Sequence, residues 1–178
     1  MTAVMTDGAM VEIATIGDEG LLGMNAFFGD DDMMVGEAML QVPDTSAEML
    51  SIERFREELN RRGALYDCVR RYSQGLLTLM MQSTACMALH QVQPRCCRWL
   101  LMAHDRIRQE QFELSHEFLA MMLGTTRPTV TLVAGTLQHA GMIKYRHGRM
   151  TILDRTALEG ASCECYASVK SEFTRLGL

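Results

Sequence analysis

Apolar and polar positions change their period along the chain, and each change marks an element. Up to about residue 52, short apolar runs alternate with glycine and aspartate. Residues 11–14 and 37–42 read as strands, and Gly17, Gly20, Gly23, Gly29 and Gly36 punctuate them, so a compact β region is predicted. From about residue 52 to His90 the period becomes helical. Leu65, Val69, Tyr72, Leu76, Met80, Ser83 and Met87 follow at alternating steps of four and three, a heptad-like stripe suited to a coiled-coil partner. Packing on the chain's own elements is the competing expectation, but few other large surfaces are available to cover the stripe, which favours a parallel dimer. Pro94 is expected to break this helix and mark a hinge. Residues 95–108 then form a further helix, with Trp99, Leu100 and Met102 available for a core.

Residues 115–153, SHEFLAMMLGTTRPTVTLVAGTLQHAGMIKYRHGRMTIL, carry the most specific pattern. Ser115 is an N-cap, and Glu117 suits the positive end of the helix dipole. Phe118, Leu119, Met122 and Leu123 form one apolar face, and Gly124 ends the helix. Thr125 and Thr126 can cap a second helix that begins at Arg127 or Pro128, since a first-turn proline needs no amide donor. Val130, Val133, Ala134 and Leu137 pack inward, which leaves Arg127, Thr129 and Thr131 near the outer end. Gly141 closes this helix. Two short strand-like runs, 142–145 and 150–153, flank His147-Gly148, and Lys144, Arg146 and Arg149 make that hairpin cationic. Helix, tight turn, helix and basic hairpin are the layout of a winged helix-turn-helix, which places its second helix in the DNA major groove. A packed helical hairpin without a DNA role is the alternative. After the hairpin, Asp154 can cap a last helix, and the tail beyond Tyr166 is expected to fray.

Charge supports the DNA reading only when it is resolved along the chain. The net charge of −5 argues against a nucleic-acid binder. Residues 1–60 hold 2 basic and 13 acidic residues, net −11, whereas residues 94–155 hold 9 basic and 5 acidic, net +4. Local charge decides where a polyanion docks, so the C-terminal part is the DNA-facing part. The 16 methionines read as flexible core filling rather than metal ligands. Among the cysteines, Cys68, Cys86, Cys96, Cys97, Cys163 and Cys165, none forms a CxxC pair. Cys96-Cys97 and Cys163-x-Cys165 are candidates for redox or metal chemistry, but reduced thiols fit the spacing better, and no metal is expected. Asp30-Asp31-Asp32 reads as a solvated turn rather than a cation loop. There is neither a membrane-length apolar run nor a signal-peptide pattern, so the cytoplasm is the expected compartment.

The order of parts resembles the CRP/FNR family of bacterial transcription regulators. The resemblance is strongest over residues 92–160, continues through the long helix, and is weaker over 11–59, where EIATIGDEGLLGMNAFFG looks like the later strands of the family's cyclic-nucleotide-binding β-roll. It implies an α+β fold: a partial β-roll (1–52), a dimerisation helix (53–91), a winged helix-turn-helix DNA-binding domain (92–165) and a tail (166–178). The roll looks halved, as a fragment, a wrongly placed start or a divergent regulator would each explain. The family's nucleotide cassette follows its glycine with a glutamate and later supplies an arginine for the phosphate. Here Met24 follows Gly23, and Met33 and Met34 stand in the arginine region, so cyclic AMP is not expected. An iron–sulfur cluster is not expected either, since the family's cluster-binding members need an N-terminal cysteine group and the first cysteine here is Cys68.

The resemblance also assigns roles. Arg127 matches the first base-reading arginine, while Pro128 and Leu132 occupy the other reading positions, so the preferred site should differ from that of the nucleotide-responsive members. The sequence thus predicts a DNA-binding regulator acting as a dimer on a two-fold site. Arg127 and Thr131 would read bases; Ser115, His116, Thr126, Thr129, Lys144, Arg146 and Arg149 would hold phosphates. Double-stranded DNA, a second copy of the chain and RNA polymerase are the candidate partners. A truncated protein that pairs with and modulates a full-length regulator is the second reading. An enzyme is the third and weakest, because no catalytic set has supporting context and the five histidines are scattered.

Overall fold

The computed structural model describes residues 1–29, 36–41 and 46–178. The acidic run Asp30-Asp31-Asp32, together with Met33, Met34 and Val42, lies outside the described residues. The fold is α+β, as expected. Strand β1 (Thr2–Val4) pairs antiparallel with β2 (Met10–Glu12), and Thr2 also bridges to Glu37. The first expected strand is therefore displaced by about one residue. The second is reduced, over its described residues, to that single bridge at Glu37. A one-turn helix α1 (Asn25–Phe28) follows.

The predicted single helix over residues 52–90 is two helices, α2 (Ile52–Asn60) and α3 (Ala64–Leu89). Ser51 caps α2 by accepting from the Arg54 amide at 3.4 Å. The chain turns at Arg62, whose φ of 50° is left-handed, and Gly63 opens α3. Pro94 does not break the helix either. His90 is already extended, and α4 (Val92–Ile107) starts ahead of the proline, which sits in its first turn. First-turn amides have no intrahelical acceptor, so proline is tolerated there.

The chain continues through β3 (Gln111–Glu113), α5 (His116–Leu123), α6 (Arg127–His139), β4 (Ile143–Arg146), β5 (Arg149–Ile152), α7 (Arg155–Ala161) and α8 (Cys165–Leu176). Strands β3, β5 and β4 form an antiparallel sheet in that spatial order. One core runs through these elements: Leu100 and Leu101 of α4, Leu119 of α5, Val130 and Leu137 of α6, Ile143 of β4, Met150 of β5 and Leu158 of α7 are all fully buried. The N-terminal segment docks on α4 through polar contacts. Trp99 Nε1 donates to Glu12 Oε2 at 3.0 Å, Arg106 pairs with Glu19 at 2.7 Å, and Arg108 pairs with Asp18 at 2.8 Å.

The tail is not frayed. Tyr166, Val169 and Leu176 are buried, and α8 lies along α3. Their spacing, completed by half-buried Phe173, repeats the three-and-four rhythm that favours a packed helix face. Arg71 Nη1 donates to the Leu176 carbonyl at 2.8 Å, and Gln74 Nε2 donates to Glu172 Oε1 at 3.3 Å. The heptad stripe of α3 lies on the adjacent face and also turns mostly inward, with Tyr72 against Gly20 and Ser83 accepting from Arg98 of α4. Val69, Tyr72 and Leu76 lie in the chain's own core, Met80 and Ser83 are half-buried, and only Leu65 and Met87 are exposed. A side chain already buried in its own chain is not available to a coiled-coil partner.

The contact with α8 passes over Gly75. A Cβ there would lie 3.3 Å from both Leu176 Cδ1 and Phe173 Cζ, tighter than ordinary contact. Gly75→Val should therefore push α8 off α3 and cost about 1–3 kcal/mol of stability by overpacking. Denaturant unfolding measures this. Gly75→Ala should stay near neutral, because the helix-propensity gain of about 1 kcal/mol opposes the milder crowding.

Candidate nucleic-acid interface

The first motif helix, α5, is fixed at both ends. Ser115 Oγ accepts from the Phe118 amide at 3.0 Å, and Gly124 takes the left-handed conformation with φ 59°. The Thr125 amide donates to the Ala120 carbonyl at 2.9 Å, which closes the turn. Thr126 then caps α6 by accepting from the Thr129 amide at 3.4 Å, with the two hydroxyls 2.9 Å apart. Pro128 occupies the first turn as expected. Val130, Val133, Ala134 and Leu137 face the core, so α6 leaves Arg127, Thr131, Leu132, Gly135 and Thr136 in solvent. Leu132 is 73% exposed, unusual for a leucine on a well-packed helix.

The hairpin β4–β5 turns through His147 (φ 50°) and Gly148 (φ 76°). Two consecutive positive φ values suit the twist of a tight two-residue hairpin. Lys144, Arg146 and Arg149 are exposed on this wing. Arg149 Nη2 lies 4.0 Å from Glu113 Oε1 on neighbouring β3. Among the described residues, no ion pair engages Lys144 or Arg146. Arg127 Nε lies 3.9 Å from Glu117 Oε2, and both side chains are largely in water, so the pair is weak and easily exchanged for another anion.

His116 is placed differently from the sequence expectation. Its ring stacks on Tyr145 at a centroid distance of 4.1 Å, tying α5 to the wing, and Nδ1 is 2.9 Å from Thr131 Oγ1. Thr131 Oγ1 already donates to the Arg127 carbonyl at 3.0 Å, so it receives its second bond from an Nδ1–H tautomer. Nε2 is then a buried acceptor without a partner. The ring thus ties α5, α6 and the wing together. The Thr131 hydroxyl is likewise committed to these internal bonds. Burial, and then the nearby Arg127 charge, lower the His116 pKa from 6.5. A base whose folded pKa lies below its unfolded value contributes stability above about pH 6.5 and loses it as pH falls through the folded value. Unfolding free energy should thus fall below pH 6.5 more steeply in the native chain than in His116→Gln, as denaturant titrations at several pH values would show.

Behind this surface lies a network that the sequence does not announce. Arg155 at the start of α7 donates to Asp105 Oδ1 at 2.6 Å, Glu159 Oε1 at 2.9 Å and the Tyr166 hydroxyl at 2.6 Å, while Tyr166 donates to Asp105 Oδ2 at 2.8 Å. It binds α4, α7 and α8 together. Only the Arg155–Glu159 pair has a helical spacing; Asp105 and Tyr166 meet through the fold.

Residues 94–161 match the family model described as a Crp-like helix-turn-helix domain. Over 165 residues the chain is 27% identical to the transcriptional regulator SdrP of Thermus thermophilus, covering 89% of this chain and 77% of that protein. A solved CRP/FNR-family transcriptional regulator from the same organism superposes with a TM-score of 0.66 at 21% identity, over 90% of this chain and 81% of that one. FixK2 of Bradyrhizobium japonicum superposes with a TM-score of 0.58 at 14% identity, over 64% of this chain and 60% of that one. Against two other solved relatives the chain spans 51% and 54% of their length. The fold and the motif thus define a helix-turn-helix domain. Over residues 94–161 the chain carries a Crp-like helix-turn-helix domain, and its fold is similar to that of CRP/FNR-family transcription regulators.

Proposed function

We propose that the chain binds double-stranded DNA sequence-specifically as a homodimer on a two-fold site, with one α6 in each of two adjacent major grooves. The exposed face of α6 carries this reading: Arg127 projects from its N-terminal end, where a recognition helix meets base edges. Arg127 offers bidentate donors to guanine, and Leu132 offers an apolar contact for a thymine methyl group. Gly135 allows close approach, since a Cβ there would meet nothing within 4 Å. Lys144, Arg146 and Arg149 hold phosphates from the wing, and the exposed Ser115, Thr126 and half-buried Thr129 lie at the two helix starts, where backbone amides also favour anions.

The dimer reading rests on a second stripe of α3. Leu77 and Met81 are 58% and 65% exposed, and Thr84 and Ala88 continue the line at steps of three and four. Each position lies one residue beyond the predicted stripe, on the side of α3 that α8 leaves open. An apolar line with coiled-coil rhythm and small residues at one end fits a second copy of the same helix.

Selection of sites from random DNA with the purified chain tests this function. The expected product is an inverted repeat; recovery of no enriched sequence would overturn it. Lys144→Ala and Arg149→Ala should weaken all sequences about equally, each reducing the slope of log affinity against log salt by about 1. Binding titrations at several salt concentrations measure that slope.

A further inference from the structure

A second buried cluster stands apart from the main core and consists of Cys86, Cys163 and Cys165 alone. Cys86 and Cys165 are completely buried and Cys163 nearly so, and none of them is in a disulfide. His90 completes the group. Cys86 and His90 sit one turn apart at the end of α3, while Cys163 and Cys165 flank Glu164 at the start of α8. The four ligand atoms lie within 4.8 Å of one another. Cys86 Sγ is 3.5 Å from Cys163 Sγ, and Cys165 Sγ is 3.6 Å from His90 Nδ1. Ligand atoms around one tetrahedral zinc ion, with Zn–S of about 2.3 Å and Zn–N of about 2.0–2.1 Å, are separated by roughly 3.5–3.8 Å. These two contacts already stand at that spacing.

We propose that Cys86, His90, Cys163 and Cys165 bind one zinc ion as a closed, tetrahedral Cys₃His site. The surroundings have the supporting contacts such a site needs. His90 presents Nδ1 to the thiols while Nε2 lies 3.2 Å from Glu164 Oε1, so the carboxylate fixes the tautomer and leaves Nδ1 free for metal. Gln82 Nε2 approaches Cys165 Sγ at 3.1 Å as a donor to sulfur. Zinc with three thiolates and a neutral imidazole carries one net negative charge. On binding, each thiol releases its proton to solvent and no electron is transferred. The ion staples the end of α3 to the α7–α8 junction. It would thereby fix the long helix against the helix-turn-helix domain. Softer ions also suit thiolates, but the compact four-ligand shell without an open position favours a structural zinc.

Metal analysis of the full chain purified under reducing conditions and supplied with zinc tests this. One tightly held zinc per chain is expected. Cobalt titrated into the metal-free chain should give thiolate-to-cobalt charge transfer and the strong visible bands of a tetrahedral site. Cys86→Ser and Cys165→Ser should lose the stoichiometric metal, whereas Cys68→Ser, an exposed thiol remote from the cluster, should keep it. Glu164→Gln should retain one zinc and weaken affinity about tenfold. Absence of stoichiometric metal in the native chain, an octahedral cobalt spectrum, or a Cys86–Cys163 disulfide in place of metal binding would each overturn the assignment. The native-chain titration decides the matter even if a serine variant fails to fold.

Discussion

Glutamate at both Leu77 and Met81 is expected to make the chain monomeric and to lower its affinity for a two-fold site by about 10²–10⁴-fold. Binding the second half-site from an existing dimer is intramolecular, and its gain, of about that size, disappears when the protomers separate. Both side chains are largely exposed in the single chain, so the charges should leave its fold intact. They would be buried only against a second α3, where an unpaired charge is strongly unfavourable. Sedimentation reads the oligomeric state, and titration of one- and two-half-site DNA separates loss of pairing from loss of contact. Equivalent glutamates at Val69 and Leu76 should instead unfold the chain, because those positions lie in its own core. A double variant that still sediments as a dimer would refute the α3 interface.

Arg127→Ala should cost about 1–3 kcal/mol on the preferred site, or roughly 5- to 150-fold in affinity, and flatten discrimination at one base pair. Binding to unrelated DNA should change little beyond the loss of one charge. The surrounding geometry supports this difference. Arg127 is exposed, its only ion-pair partner among the described residues is the distant Glu117 oxygen at 3.9 Å, and its backbone is fixed by the Thr126 cap and Pro128. Competition binding against single-base variants of the selected site measures the effect. Equal loss on every sequence would reassign Arg127 to the phosphate backbone.

Local patterns are legible where short-range rules decide them. The Ser115 and Thr126 caps, Gly124, Pro128 and the His147-Gly148 turn all depend on neighbours within a few residues, and the structure forms each of them. The stripe on α3 has the expected period and a different partner. Periodicity identifies a face that must be covered but not what covers it: Tyr72 meets the N-terminal segment at Gly20, Ser83 accepts from Arg98 of α4, and α8 packs on the neighbouring face at Gly75. Position alone does not foretell that the His116 ring stacks on Tyr145, far along the chain. The thiol cluster is hidden for the same reason. Cys86 and His90 at a helical step of four, and Cys163-x-Cys165, are two half-motifs, and only the packing of α8 on α3 joins them.

Hydroxyl-radical footprinting of the purified chain on its selected DNA tests the proposed mode of action most directly. Two protected patches related by a two-fold axis, with centres about one helical turn apart, are expected, and the double glutamate variant should not protect them at the same concentration. A single protected patch, or equal protection along unrelated DNA, would contradict dimeric, sequence-specific recognition by α6.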